Sequence, residues 1–169
     1  IDPHKWLFAP FDCAALLYRD PAVAKAAFTQ QAEYLDVIND GADWNPSDYA
    51  YHLSRRARGL PFWFSLAVHG TDAYRAAVQH GLDLAVQAAE AITAAEHLEL
   101  VQPPDLSVVL FRRTGWTSAQ CASWCERERV EQRAFVVPTS WQGEPVLRFC
   151  FVNPRTTFAD VEQLIDALR

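Results

Sequence analysis

The sequence predicts an α/β protein, and two observations carry that prediction. Over residues 71–96, Tyr74, Val78, Leu82, Ala85, Ala89 and Ile92 recur every three or four positions, which is the spacing of one helix face. Residues 105–169 then alternate strand, helix, strand, strand, helix. Three strands covered by helices on one face make a compact α/β layer.

The elements run in order along the chain. Residues 5–9 and 13–18 read as two short apolar strands around Ala-Pro-Phe-Asp. Asp20-Pro21 opens a helix over 21–31, with proline in its first turn. Turn-forming residues make 35–47 a loop. Asn45 caps the next helix, Pro46 begins it, and Gly59 ends it after Tyr49, Leu53 and the arginines 55, 56 and 58. Pro61 starts another helix, the long helix comes next, and Pro103-Pro104 closes its connection. Strand 106–112, helix 117–128, strands 133–138 and 145–152, and helix 158–169 complete the chain. Thr117 and Gln120 suit a capping box. Phe158, Val161, Leu164, Ile165 and Leu168 form a buried stripe on the last helix. The boundary is expected near Gly59-Leu60-Pro61, giving domains 1–60 and 61–169.

Composition excludes several function classes. The chain has 169 residues, half of them hydrophobic, and a net charge of −6. That size and apolar share suit a globular core. The negative charge, with no basic stripe interleaved with aromatics, argues against nucleic-acid binding. No apolar run approaches the ~20 residues of a membrane helix, and neither a signal peptide nor a targeting tail is visible. The chain starts at Ile1 and contains no Met, so a fragment or a processed product is expected. Cys121 and Cys125 share a helix face, but no further ligands stand at finger-like spacing. All four cysteines, with Cys13 and Cys150, are expected to pack as free thiols in a reducing cytoplasm, and no metal site is expected.

The most informative stretch is Asp2-Pro3-His4-Lys5-Trp6-Leu7-Phe8. Lys5 and Lys25 are the only lysines in the chain. A lysine among aromatics is expected to be partly desolvated, which makes its neutral, nucleophilic amine easier to reach. The alternative is a lysine at a strand end with its head in water. On a strand, His4 and Lys5 point to opposite faces.

Residues 1–13, Ile-Asp-Pro-His-Lys-Trp-Leu-Phe-Ala-Pro-Phe-Asp-Cys, resemble the cofactor-lysine segment of the pyridoxal-phosphate (PLP) dependent group II amino-acid decarboxylases. The resemblance continues through Tyr34-Leu35, Leu53-Ser54-Arg55-Arg56, Leu147-Arg148 and Asn153-Pro154-Arg155-Thr156-Thr157. It spans essentially the whole chain, but only the C-terminal portion of such an enzyme. It implies the end of the large domain of an aspartate-aminotransferase-like (fold type I) enzyme, with its catalytic loop, over 1–60, and the small C-terminal domain over 61–169.

By the same resemblance, Lys5 is the Schiff-base lysine and His4 lies close to the cofactor phosphate. Tyr34 matches the loop tyrosine that protonates carbon after carbon dioxide leaves. A phenol is a weak acid suited to that task when water is kept out; an ordinary amphipathic tyrosine at a helix end is the alternative. Asp2 matches a polar position near the phosphate, where an acid would be unfavourable. Arg55, Arg56 and Arg58 read as a solvated face or as partners for acids at an interface. Arg148 reads as structural. The implied activity is decarboxylation of an L-amino acid, aromatic by preference, in a cytoplasmic homodimer. Glutamate or diaminobutyrate decarboxylase, aldehyde synthase, and an inactive dimerisation unit stand as alternatives. The acid beneath the pyridine nitrogen, the stacking histidine and most phosphate ligands of the family precede the lysine.

Overall fold

The computed structural model describes residues 1–30 and 44–169. They form two compact units, Ile1–Val68 and His69–Arg169.

In the first unit the predicted strands 5–9 and 13–18 are absent. Residues Pro3–Trp6 form instead one helical turn, α1. Proline at its first position supplies a helical φ and lacks an N–H that would have gone unpaired there. Ile1 and Ala15 exchange backbone hydrogen bonds of 3.0 and 2.8 Å. That is a single pair, and no ladder grows from it.

Helix α2 (Pro21–Phe28) begins as predicted, with the Asp20 carboxylate accepting the Ala22 N–H, and ends three residues earlier than expected. Most of the loop predicted over 35–47 lies outside the described residues. Asn45 caps as expected and accepts the Ser47 N–H at 3.2 Å. The element it caps is only a 3₁₀ turn, Pro46–Tyr49, not the predicted helix. Gly59 does not end that helix; it opens the next one.

Helix α3 (Gly59–Ala94) contains one break, at Gly70 (φ 76°, ψ 161°). Glycine adopts that positive φ without a Cβ penalty. After Gly70 the predicted face is largely correct: Tyr74, Ala85, Ala89 and Ile92 are buried. Leu84 and Ala88 join them, because a stripe facing a sheet is wider than a single row.

The second unit is a four-stranded antiparallel sheet in the order β1-β2-β4-β3. Its strands are β1 (Leu98–Leu100), β2 (Val108–Arg113), β3 (Thr139–Trp141) and β4 (Glu144–Cys150). Helices α4 (Ser118–Val130) and α5 (Phe158–Asp166) complete the unit. Phe111 of β2 and Phe149 of β4 meet in the core with ring centroids 4.6 Å apart. Leu147, Trp124, Val161 and Leu168 close around them. Arg148, between two core-facing residues, points to the other face of the sheet and is exposed.

Both capping boxes are present. Thr117 pairs with Gln120, as predicted, and Thr157 with Asp160. The predicted strand 133–138 is absent for a local reason. Gln132 takes a positive φ of 56°, and the N–H groups of Arg133 and Ala134 return to the Glu128 carbonyl at 3.0 and 3.3 Å. These residues cap α4 and cannot enter a ladder. Pro138 then has no N–H to donate. β3 starts after it and turns into β4 through Gln142 and Gly143, both at positive φ, as a tight two-residue hairpin requires. β1 is not predicted by the sequence; three residues are too few to display a period of two.

Candidate active site

The first unit holds the candidate site. Asp2 precedes α1, and its carboxylate lies 2.6 Å from the Lys5 ammonium. The Lys5 side chain is 68% exposed. The expected desolvation is thus not found: one helical turn places Lys5 outward, where water and Asp2 reach it. Lys5 holds the Asp2 carboxyl below the ordinary carboxylate range. Asp2 must give up this contact before the amine can carry a carbonyl group.

His4 and Lys5 are neighbours on the same turn, not residues on opposite faces of a strand. The His4 Nδ1 lies 2.6 Å from the Cys13 carbonyl oxygen. The Cys13 N–H also lies 3.2 Å from this nitrogen, so the Cys13 backbone brackets Nδ1, and which of the two it bonds depends on the tautomer. The Cys13 backbone and the Phe11 ring, 5.1 Å away and edge-on, fix the imidazole.

His4 lines a cavity of about 920 Å³ in this unit. Its wall also includes Ser47, His52, Ser54, Arg55, Arg56 and Arg58. Arg58 donates to Asp12 at 2.9 Å and holds that carboxyl below its usual range. Arg55 donates to the Pro46 carbonyl at 2.6 Å. Guanidinium and hydroxyl donors together suit a phosphoryl or carboxylate group, and an exposed primary amine suits a carbonyl.

The structure therefore brings His4 together with the Leu53–Arg58 segment. Lys5 adjoins His4 but is not among the cavity-lining residues. Tyr34 lies outside the described residues. Sequence reasoning misses Ser47, His52 and the Asp12–Arg58 ion pair. Asp12-Cys13 is visible as part of the motif, but the 46-residue separation of Asp12 from Arg58 gives no local signal.

In the second unit Cys121 and Cys125 are buried free thiols in the core, as expected. Burial pushes the Cys125 thiol up to about 11. Among the described residues there is no group of three or more metal-ligating side chains. Among them, too, no helix is long and apolar enough to cross a membrane.

Residues 1–114 match the pyridoxal-dependent decarboxylase conserved domain. An aromatic-L-amino-acid decarboxylase of Bacillus atrophaeus is 31% identical over 177 residues, covering 98% of this chain and 36% of that protein. An L-2,4-diaminobutyrate decarboxylase of Rhizobium meliloti is 31% identical over 179 residues, covering 99% of the chain and 35% of that protein. The crystal structure of Oryza sativa TDC with PLP and tryptamine shares the fold, with a TM-score of 0.82. It is 24% identical and covers 99% of this chain and 37% of that one.

The chain belongs to the pyridoxal-dependent decarboxylase family. Its α/β fold is the one the sequence resemblance implied, and it spans between 19% and 36% of the length of the curated relatives it matches.

Proposed function

We propose that these residues belong to a PLP-dependent L-amino-acid decarboxylase that releases carbon dioxide and an amine, with an aromatic amino acid as substrate. The observation that carries this reading is the Asp2–Trp6 turn. It presents an exposed amine beside a histidine whose ring is fixed at the wall of a cationic, hydroxyl-bearing cavity. The donor set fits the cofactor: an amine for its aldehyde, and histidine, serine and arginine groups for its phosphate.

When bound, pyridoxal phosphate supplies the sink that accepts the electron pair of the breaking Cα–carboxylate bond. The chain's own residues supply the rest. Lys5 holds the cofactor covalently and yields that place to the substrate amine. His4, its ring held by the Cys13 backbone, would stand beside the phosphate at the cavity wall. Tyr34 would deliver a proton to the carbon that has lost its carboxylate, a task suited to a weak acid. The enzyme acts as a cytoplasmic homodimer, and residues preceding this segment complete the cofactor cradle.

Assay of the full-length enzyme with PLP tests the reading. It predicts amine and carbon dioxide from an aromatic L-amino acid, with a higher kcat/KM than for L-2,4-diaminobutyrate or L-glutamate. A preference for either of the latter overturns the aromatic assignment. Absence of decarboxylation with all of them overturns the activity.

A further inference from the structure

Asp48 stands out in the first unit as a carboxylate with almost no access to water. Its side chain is 7% exposed, and its Oδ2 lies 3.4 Å from the Lys25 Nζ. A buried carboxylate is costly unless paired, and a neutral residue would fill the same space more cheaply. Its location suggests what the charge is for.

Asp48 sits in the 3₁₀ turn whose Pro46 and Ser47 form one wall of the cavity beside His4. Three side chains from residues 18–30 grip this region. Besides Lys25, the Tyr18 hydroxyl donates to the Tyr49 carbonyl at 3.4 Å, and the Gln30 amide donates to the Tyr51 carbonyl at 3.1 Å. Arg55 holds Pro46 from the cavity side. The two hydrogen bonds end on backbone carbonyls and tolerate small shifts. The ion pair fixes a side chain of the turn itself.

We propose that Lys25 and Asp48 are positioning residues: their ion pair locks the Pro46–Tyr49 turn against α2 and so sets the Pro46–Ser47 wall of the His4 cavity. Neither residue lines the cavity, so they act through the wall and not on a ligand. This rests on the reading of that cavity as the cofactor-phosphate site. Lys25, one of only two lysines, thereby has a role distinct from that of Lys5.

The test uses the full-length enzyme with PLP. Lys25 is half exposed, so Lys25→Gln can be made without emptying a core site. It is expected to raise the PLP dissociation constant about 3- to 5-fold, the range a partly exposed ion pair can supply. Lys25→Arg, which keeps the charge, restores cofactor affinity to within about two-fold. Asp48→Asn gives the same weakening as Lys25→Gln, and the double variant is no weaker than either single one, as expected for a pair acting as a unit.

A merely structural pair would lower the melting temperature and leave the cofactor dissociation constant of the folded enzyme unchanged. That outcome, or failure of arginine to restore affinity, overturns the proposal. His4→Gln serves as the separate control. If it leaves PLP affinity unchanged while Lys25→Gln weakens it, the placement of the phosphate beside His4 falls. If His4→Gln weakens binding and Lys25→Gln does not, only the positioning pair falls.

Discussion

Arg133 grips Glu128 at two points, Nε to Oε2 at 2.6 Å and Nη2 to Oε1 at 2.9 Å. The Glu128 side chain is fully buried. The Arg133 guanidinium holds the Glu128 carboxyl below its ordinary range, and Arg127 adds to the effect. A carboxyl lowered on folding stabilises the native state above its unfolded value of about 4.3. That contribution is lost as pH falls through the lower folded value.

Glu128→Gln is therefore expected to destabilise the protein at pH 7 by about 2–3 kcal/mol. Loss of one partner of a fully buried pair costs ~3–5 kcal/mol, and Arg133 keeps some contact with water. Urea unfolding at pH 7 and over a series of falling pH checks both parts. The deficit must shrink as pH falls through the lowered folded value, where the native carboxyl takes up its proton.

Thr157 accepts the Asp160 N–H at 3.3 Å, and Asp160 accepts the Thr157 N–H at 2.8 Å. Thr157→Ala removes half of this capping box and is expected to cost about 1 kcal/mol. Thermal unfolding measures it. Thr157→Ser, which keeps the hydroxyl, should stay close to the parent.

Burial raises the Cys125 thiol to about 11. At pH 8 roughly one molecule in a thousand carries the reactive thiolate there. Alkylation of the native protein with iodoacetamide should leave Cys125 unmodified, and unfolding in urea should expose it. Modification of Cys125 in the native state at the rate of a small free thiol would show that the α4 core opens readily.

Legibility from sequence tracks the length of each signal. Helix α3 and helix α5 are visible because their apolar period runs over several turns. The capping box at Thr117 is visible because it is a four-residue code. β1 is too short to show its period, and 133–138 carries a strand composition that the α4 cap overrides. The turn at Pro3–Trp6 is easily misread because proline at a first helical position competes with a row of apolar residues. At the site, His4 and Lys5 are legible as a motif. The cavity is not, because Ser47 and the arginines reach it through tertiary folding.

Tyr34 separates amine formation from oxidative chemistry within this reading. Its resemblance to the family's loop tyrosine predicts that Tyr34→Phe in the full-length enzyme strongly lowers amine release and leaves PLP binding intact. Without a proton donor the carbanionic carbon survives longer and dioxygen can reach it. Aldehyde, ammonia and peroxide should then rise under air. Product analysis with an aromatic L-amino acid decides it: amine release at the parental rate would make Tyr34 a packing residue.

Lys5 as the residue that holds the cofactor is tested most directly by borohydride reduction of the full-length, PLP-loaded enzyme. Reduction fixes the cofactor to the amine that carries it, and peptide mass mapping then locates the pyridoxyl group. The label is expected on the peptide containing Asp2-Pro3-His4-Lys5, and its loss from that peptide is expected in Lys5→Ala. A label found only on Lys25, or on no lysine of this chain, would contradict the assignment.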